Sequence, residues 1–454
     1  MAPFLLDMLL WRAVPAPLLP LRRETARLLG TRTRVVVLTL ALAVGMADLA
    51  ANHLKDLVDR QRPCTDPAVS ELVDARWTVH GSKSFPSSHA ANSAAMATVV
   101  ALYFPAALIP AVALAFLVGF SRIYLGVHYP LDVAAGWLLG ALSGGVFYMA
   151  LEVLSIPRES WSFTRRFRRG GRGKPKPGPV EDVHRDWEPL PVRSLDGLRG
   201  TAWLLRGGER LAAVVHGLGA DVDAAAVPGG ELARRGYSVL LCPVRGHDDV
   251  HGRPTSGGPE EAYDLLGALH LAQREGYPPK RTLLYGTSMG AGVCLKAAAI
   301  TGDAYLALIT HGVVPDFPAA AERRLGGLQA RLLMRMIPAS RRHGLEVWDP
   351  RVYASLLDGG TPVVALCGSR DDLSTPQDSE AVSAFARRSM VAVLGGAHHP
   401  SWLSERTDMY QYRAAMDRAL DFINSNDKVI RIYIDENGEV RNLPSSHREM
   451  GAQP

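Results

Sequence analysis

Residues 90–121 read AANSAAMATVVALYFPAALIPAVALAFLVGFS, thirty-two consecutive positions without a charge. A helix needs about 20 residues to cross the ~30 Å of bilayer hydrocarbon. The run is therefore too long for one crossing. It divides at Phe104-Pro105, because a proline cannot continue a helix cleanly. Working outward, Val35–Ala51 carries one charge, Asp48, and Val133–Leu151 carries none. We expect an all-α bundle of four crossing helices, over 35–52, 87–104, 106–122 and 131–154. A buried helical core is the competing reading of the same runs. Nothing after residue 190 repeats them. Phe4–Pro20 is apolar but holds Asp7, Arg12, Pro15, Pro17 and Pro20. It reads as an interfacial or re-entrant segment. It lacks the basic start and small-residue cleavage site of a signal peptide.

The whole-chain averages hide this clustering. The 454 residues are 47% hydrophobic and 21% charged, which excludes disorder and collagen-like repeats. Four cysteines exclude a disulfide scaffold and a multi-zinc protein. A net charge of +5 gives no global signal for nucleic acid, and a mean hydropathy of +0.03 suggests an ordinary soluble chain. The charge is instead local. Arg22, Arg23, Arg27, Arg32 and Arg34 precede the first expected span. Arg158, Arg165, Arg166, Arg168, Arg169, Arg172, Lys174 and Lys176 follow the last. An even number of spans puts both clusters on one side, and basic flanks stay cytoplasmic. Their place beside a membrane helix favours anionic lipid over nucleic acid as partner.

Gly170–Pro179 (GGRGKPKPGP) reads as a solvated linker. Beyond it, short apolar strands are expected at 201–206, 211–216, 237–242, 281–286, 305–310, 362–367 and 390–394. Helices fall between them, as at 258–274 and 289–300. Such alternation implies a mostly parallel sheet covered on both faces. Lys428–Leu443 reads as a hairpin turned at Glu436-Asn437-Gly438. We divide the chain into a membrane domain (1–157), a basic linker (158–189), a soluble domain (190–425) and a C-terminal hairpin and tail (426–454).

Polar residues at the ends of membrane helices call for a functional reading. Three clusters stand out. They are Lys55 and Arg62-Pro63, Pro86-Ser87-Ser88-His89, and Ser121-Arg122 with His128 and Asp132. The expected topology puts all three on one face. Lys55, Arg62 and Arg122 can grip a dianionic phosphate. Ser87, Ser88 and the helix N-terminus behind them add donors. Two histidines supply a nucleophile and a proton donor. Asp132, four residues after His128, can fix its tautomer if the two share a helix. Arg60 and Asp59 read as solvated loop residues, Cys64 as a loop thiol, and Asp48 has no evident partner.

These residues resemble the signature of the type 2 phosphatidic acid phosphatase superfamily, K-x6-R-P, P-S-G-H and S-R-x5-H-x3-D. The chain has Lys55-x6-Arg62-Pro63, Pro86-Ser87-Ser88-His89 and Ser121-Arg122-x5-His128-x3-Asp132. Ser88 stands where the family usually has Gly. The resemblance covers about the first third of the chain. It implies that His128 is a nucleophile forming a phosphohistidine, oriented by Asp132. His89 would be general acid and then base, and Lys55, Arg62, Ser87, Ser88 and Arg122 would bind phosphate. It implies no metal or other cofactor, an active site at the outer face, and commonly six spans where we count four.

In the second half, strand 281–286 runs into Gly286-Thr287-Ser288-Met289-Gly290 and an Ala-rich helix. This is G-x-S-x-G in its strand–turn–helix setting. The Met289 amide would face a developing oxyanion. Strand 211–216 ends in His216-Gly217-Leu218-Gly219, where the Leu218 amide would be the second donor. Asp371 or Asp372 follows one strand and His398 or His399 another. We place the acid at Asp371 and the base at His398. His216 and His247 read as turn residues, and Cys242, Cys294 and Cys367 as buried thiols suited to a reducing compartment. The order Ser, Asp, His at strand ends resembles an α/β-hydrolase of the serine esterase or peptidase type. Residues 313–357 read either as a lid or as a crossover helix pair.

The combined expectation is a bifunctional enzyme of the cell membrane. Its outward site would release phosphate from a lipid phosphate or prenyl diphosphate. A tethered cytoplasmic serine hydrolase would cleave a second small substrate, an ester, thioester or amide. In the alternative, the hydrolase-like domain is a non-catalytic binding or regulatory module. A vanadate haloperoxidase shares the phosphate pocket, but membrane spans oppose it.

Overall fold

The computed structural model describes residues 31–73, 83–156, 164, 167, 186–247, 253–302, 304–357, 360–400 and 409–443. Phe4–Pro20, the Gly170–Pro179 linker and most of both basic clusters lie outside the described residues. The chain forms two compact units, residues 1–156 and 157–454.

Among the described residues the first unit has four long helices, α1 (Thr31–Val58), α2 (Ser88–Tyr103), α3 (Leu108–Tyr124) and α4 (Pro130–Ser155). As expected, the charge-free run divides at Phe104-Pro105. Among the described residues three segments are long and apolar enough to cross a bilayer, Thr33–Val58, Pro105–Tyr124 and Pro130–Ser155. The fourth expected span, α2, departs from that pattern. It has 16 residues, about 24 Å at 1.5 Å per residue. Its buried face is mostly alanine: Ala90, Ala91, Ala94, Ala95 and Ala97. Packing explains this composition. Gly136 and Gly140 of α4 bring its backbone against α2, and a Cβ at Gly140 would stand 2.0 Å from the Ala91 carbonyl oxygen. The large apolar side chains point outward instead, with Ile109 81%, Leu49 67% and Leu138 63% exposed. Small residues inside and large ones outside is the pattern of helices whose solvent is lipid.

The second unit is built on one ten-stranded sheet. Its strands are β1 (Glu188–Arg193), β2 (Arg199–Leu205), β3 (Leu211–Val215), β4 (Ser238–Leu241), β5 (Thr282–Thr287), β6 (Ala307–His311), β7 (Val363–Gly368), β8 (Ser389–Leu394), β9 (Val429–Ile434) and β10 (Val440–Asn442). They lie in the order β1-β2-β4-β3-β5-β6-β7-β8-β9-β10. β2 is antiparallel to both neighbours, and β4 through β9 run parallel. The central strands are buried along their whole length. That matches their unbroken Val/Leu/Ala runs and a sheet covered on both faces. The covering helices include α5 (Val222–Ala233), α6 (Glu261–Arg274), α7 (Met289–Thr301), α12 (Pro376–Ser383) and α13 (Met409–Asn424). Between β6 and β7 lie four short helices, α8 (Phe317–Leu325), α9 (Gly327–Met336), α10 (Ala339–Glu346) and α11 (Pro350–Ser355).

All seven expected strands form. Two boundaries differ. β1 begins inside the expected linker, and its prolines Pro189 and Pro191 are tolerated because it lies at the sheet edge. The hairpin expected at 428–443 forms as the antiparallel pair β9–β10, turned at Glu436-Asn437-Gly438, but it does not stand apart from the sheet. β9 pairs in parallel with β8, Ser389 opposite Val429, and extends the same sheet. Phe167, also in the expected linker, is buried against Met334, Ile337 and Leu345 of the second unit.

Candidate active sites

In the first unit, residues from all four helix ends converge. Lys55, at the end of α1, donates to Ser88 Oγ at the start of α2. Arg62 is buried, and its Nη1 lies 2.9 Å from the Val127 carbonyl and 3.1 Å from His128 Nε2. Ser87 caps α2. Its Oγ accepts the Ala90 amide at 3.5 Å, and its own amide donates to the Asp132 carbonyl at 2.9 Å. That amide is therefore already engaged. His89 is exposed and shares the electrostatic surroundings of Arg122, His128, Lys55 and Arg62. Arg122 Nε lies 3.2 Å from Ser121 Oγ. The ends that meet are the C-termini of α1 and α3 and the N-termini of α2 and α4. The four helices consequently alternate in direction, and α2 runs antiparallel to α1 despite its length.

The His128–Asp132 relation differs from the expected single helical turn. α4 begins at Pro130, so His128 belongs to the preceding loop. Asp132 Oδ2 stands 3.7 Å from His128 Nδ1. Asp132 is fully buried and receives three other donors. They are the Tyr129 amide (2.8 Å), Ser84 Oγ (2.5 Å) and Arg60 Nη1 (2.9 Å). Arg60 is thus no simple solvated residue, and it also lies over the Tyr129 ring at 3.9 Å. Asp59 remains exposed, paired with Lys83. Asp48 does have partners, Asn52 Nδ2 at 3.1 Å and Asn92 Nδ2 at 3.2 Å. Ser84 and Arg60 escaped the sequence reading. Their only sequence signal is position, within a few residues of Arg62 and Pro86.

In the second unit, Ser288 lies between β5 and α7 with φ 54° and ψ −115°. This left-handed backbone needs close support. A Cβ at Gly286 would stand 2.3 Å from the Gly290 carbonyl oxygen, and one at Gly290 would stand 2.4 Å from that of Val215. Ser288 Oγ is 2.9 Å from His399 Nε2. His399 Nδ1 is 2.8 and 3.1 Å from the two oxygens of Asp371. Asp371 Oδ1 is further fixed by the amides of Leu373 (2.9 Å) and Ser374 (2.8 Å).

The expected base His398 is therefore corrected to His399. After β8 the chain turns without strand alternation, so sequence period cannot assign the inward residue. His398 is exposed, while His399 packs where Gly312 leaves room, its Cε1 3.1 Å from a Cβ built there. Asp371 holds the acid position. Asp372 is exposed and pairs with Arg324 at 2.8 Å.

Met289 opens α7, where helix amides have no intrahelical acceptor. Gly217, preceding Leu218, lies against Ser288, a built Cβ standing 3.1 Å from Ser288 Cβ. His216 Nδ1 donates to the Gly217 carbonyl (2.9 Å), and His247 Nε2 accepts the Gly219 amide (3.1 Å). Both histidines therefore shape this loop. Leu218 also packs beside Phe167, Met334, Ile337 and Leu345, so α9 and α10 adjoin the loop. His311, buried beneath the site, has its pKa pushed down to about 3 by burial, and its Nδ1 lies 3.0 Å from Tyr285 OH.

The PAP2 superfamily matches residues 36–154. The chain is 34% identical over 131 residues to the lipid A 4'-phosphatase of Bacteroides thetaiotaomicron, covering 27% of this chain and 57% of that protein. It is 43% identical over 105 residues to the decaprenylphosphoryl-5-phosphoribose phosphatase of Mycobacterium tuberculosis, covering 22% and 53%. The chain thus spans just over half the length of these relatives. An esterase structure from Pyrococcus furiosus aligns at 17% identity and a TM-score of 0.46, over 56% of this chain and 96% of that one. Lipid phosphatases among the relatives, and three helices among the described residues long and apolar enough to cross a bilayer, point to membrane association of the first unit. Residues 36–154 thus match the PAP2 superfamily, and the second unit has the mostly parallel, helix-covered sheet expected of an α/β-hydrolase fold.

Proposed function

We propose that the chain is a bifunctional membrane enzyme in which each half carries its own nucleophile. In the PAP2 domain, His128 Nε2 attacks the phosphorus of a lipid phosphate or prenyl diphosphate. The P–O bond to the leaving group breaks, and His89 gives that oxygen its proton. His89 then takes a proton from water, which attacks the phosphohistidine and releases inorganic phosphate. Lys55, Arg62, Arg122, Ser87 and Ser88 hold the phosphoryl oxygens. The observation that carries this reading is Arg62 at 3.1 Å from His128 Nε2, a phosphate-gripping cation donating to the ring nitrogen that would attack phosphorus.

In the hydrolase domain, His399 removes the Ser288 proton as Ser288 Oγ attacks a carbonyl, and Asp371 holds the imidazolium that forms. The Met289 and Leu218 amides receive the oxyanion. The substrate class is an ester, thioester or amide, and α8–α11 act as a lid over it.

The basic flanks support a phosphatase site on the outer face and a cytoplasmic hydrolase. Cysteine-accessibility labelling tests this, and residues 186–443 reacting from outside the cell would overturn it. The function itself is tested by phosphate release from a lipid-phosphate panel and by p-nitrophenyl ester cleavage, both with the purified full chain. Neither activity in a folded preparation would sink the proposal.

A further inference from the structure

We infer that Arg323, on the lid helix α8, is a positioning residue for the acid of the triad, Asp371. The inference rests on the serine-hydrolase reading above and adds a residue to it. The Asp371 side chain is fully buried. Its Oδ1 accepts the Leu373 and Ser374 amides at 2.9 and 2.8 Å. Those amides belong to two consecutive peptide groups, Asp372–Leu373 and Leu373–Ser374. Arg323 binds the other end of both groups. Its Nε lies 3.1 Å from the Asp372 carbonyl oxygen, and its Nη2 lies 3.1 Å from the Leu373 carbonyl oxygen. A peptide group is planar and delocalised. A guanidinium on its oxygen therefore polarises the N–H at its far end, which strengthens the bond that N–H gives the carboxylate. Two parallel paths join Arg323 to Asp371, each one peptide group long.

The guanidinium is itself fixed. Nη2 also donates to Asp378 Oδ2 at 2.9 Å. That oxygen accepts the Thr375 amide and hydroxyl, both at 3.0 Å, at the start of α12. Loop 371–375 is thus held from inside by the Asp371 carboxylate and from outside by Arg323. The rigid fork of arginine suits these spread acceptors, where the point charge of lysine does not. Its neighbour Arg324 pairs instead with the exposed Asp372 side chain, at 2.8 Å. Without Arg323 the two peptide groups lose their outer anchor, and the carboxylate is free to drift from His399 Nδ1, 2.8 Å away. The Arg323 side chain is 36% exposed, so its removal opens no cavity in the core. Through this residue α8 ties the lid to the triad.

The test follows p-nitrophenyl butyrate cleavage by the purified full chain. Arg323→Ala is expected to lower kcat about 30-fold, with KM within about threefold of the parent, the kind of loss a small misplacement causes. The acidic limb of the kcat/KM profile is expected to move to lower pH, because an imidazolium whose counter-ion has drifted sheds its proton more readily. His311, the other imidazole beside this pair, has its pKa pushed down to about 3 by burial and stays neutral across the profile. Arg323→Lys should stay near Arg323→Ala, and Arg324→Ala near the parent. In an Asp371→Asn background, Arg323→Ala should slow fluorophosphonate labelling of Ser288 by no more than about a further twofold, because both changes break one linkage. An Arg323→Ala protein with kcat near the parent overturns the inference. So does an unmoved pH limb, full recovery by Arg323→Lys, an equal loss in Arg324→Ala, or losses that multiply in Asp371→Asn, since Arg323 would then act only through surface charge or general stability. If Ser288→Ala still cleaves the ester, the parent reading fails. If it is inert while Arg323→Ala is unimpaired, only this inference fails.

Discussion

Both halves of the molecule set an imidazole between an aspartate and a reacting partner, and they do it at different distances. In the hydrolase fold, Asp371 holds His399 Nδ1 directly, at 2.8 and 3.1 Å. In the PAP2 domain, Asp132 stands 3.7 Å from His128 Nδ1, and Ser84 donates to the same carboxylate oxygen. The proposed roles account for the difference. His399 must accept a proton and carry a full charge beside Asp371, so close contact strengthens it as a base. His128 is itself the nucleophile. It needs its ring proton on Nδ1 and its Nε2 turned toward the phosphate-binding cations, and Arg62 at 3.1 Å from Nε2 fits that tautomer. Two constellations with the same residue types are thus separable by the length of one contact.

The sharpest way to break this comparison is to remove each nucleophile. His128→Ala should lower phosphate release by about 10⁴-fold or more and leave p-nitrophenyl ester cleavage intact. Ser288→Ala should do the reverse and abolish labelling by a fluorophosphonate probe. Loss of both activities in either variant would mean that the sites are not independent. Next in size, His399→Ala should cost about 10³–10⁴ in ester kcat, while His398→Ala should stay within about threefold. A larger effect at His398 would reverse the assignment of the base.

A smaller effect concerns a third imidazole. His311 has its pKa pushed down to about 3 by burial, against about 6.5 in an unfolded chain. Between those values the unfolded state binds the extra proton. The contribution is thus full above pH 6.5 and is lost as pH falls toward 3. From pH 7.5 to 5.5 the loss is about 1 kcal/mol. Pulsed alkylation of the buried thiols Cys242, Cys294 and Cys367 reads it for the hydrolase unit, and His311→Gln should flatten the slope. Smallest of all, Asp372→Ala breaks only an exposed pair with Arg324. It should shift stability by less than about 1 kcal/mol and leave ester turnover unchanged.

The sequence made the fold legible wherever local chemistry and tertiary role agree. The charge-free run showed its break at Pro105, and the seven buried strands showed their Val and Leu runs. β1 was missed because Pro189 and Pro191 hide an edge strand. α2 was read as a full span, although its alanines serve helix contact. The motif residues converged as their types suggested. His398 was favoured over His399 because a turn has no period, and Arg60 and Ser84 were missed because they reach Asp132 across about 50–70 positions of chain, which no local pattern records.

β9, supplied by the segment beyond residue 425, sets an order of events during synthesis. The sheet that carries Ser288 and His399 gains that strand only after residue 434 has left the ribosome, whereas the helices that flank the His128 loop are complete by residue 155. At about 5–20 residues per second, the PAP2 domain has a lead of roughly 15–55 seconds. A chain stalled in that interval would hold a finished helical unit and an unfinished sheet.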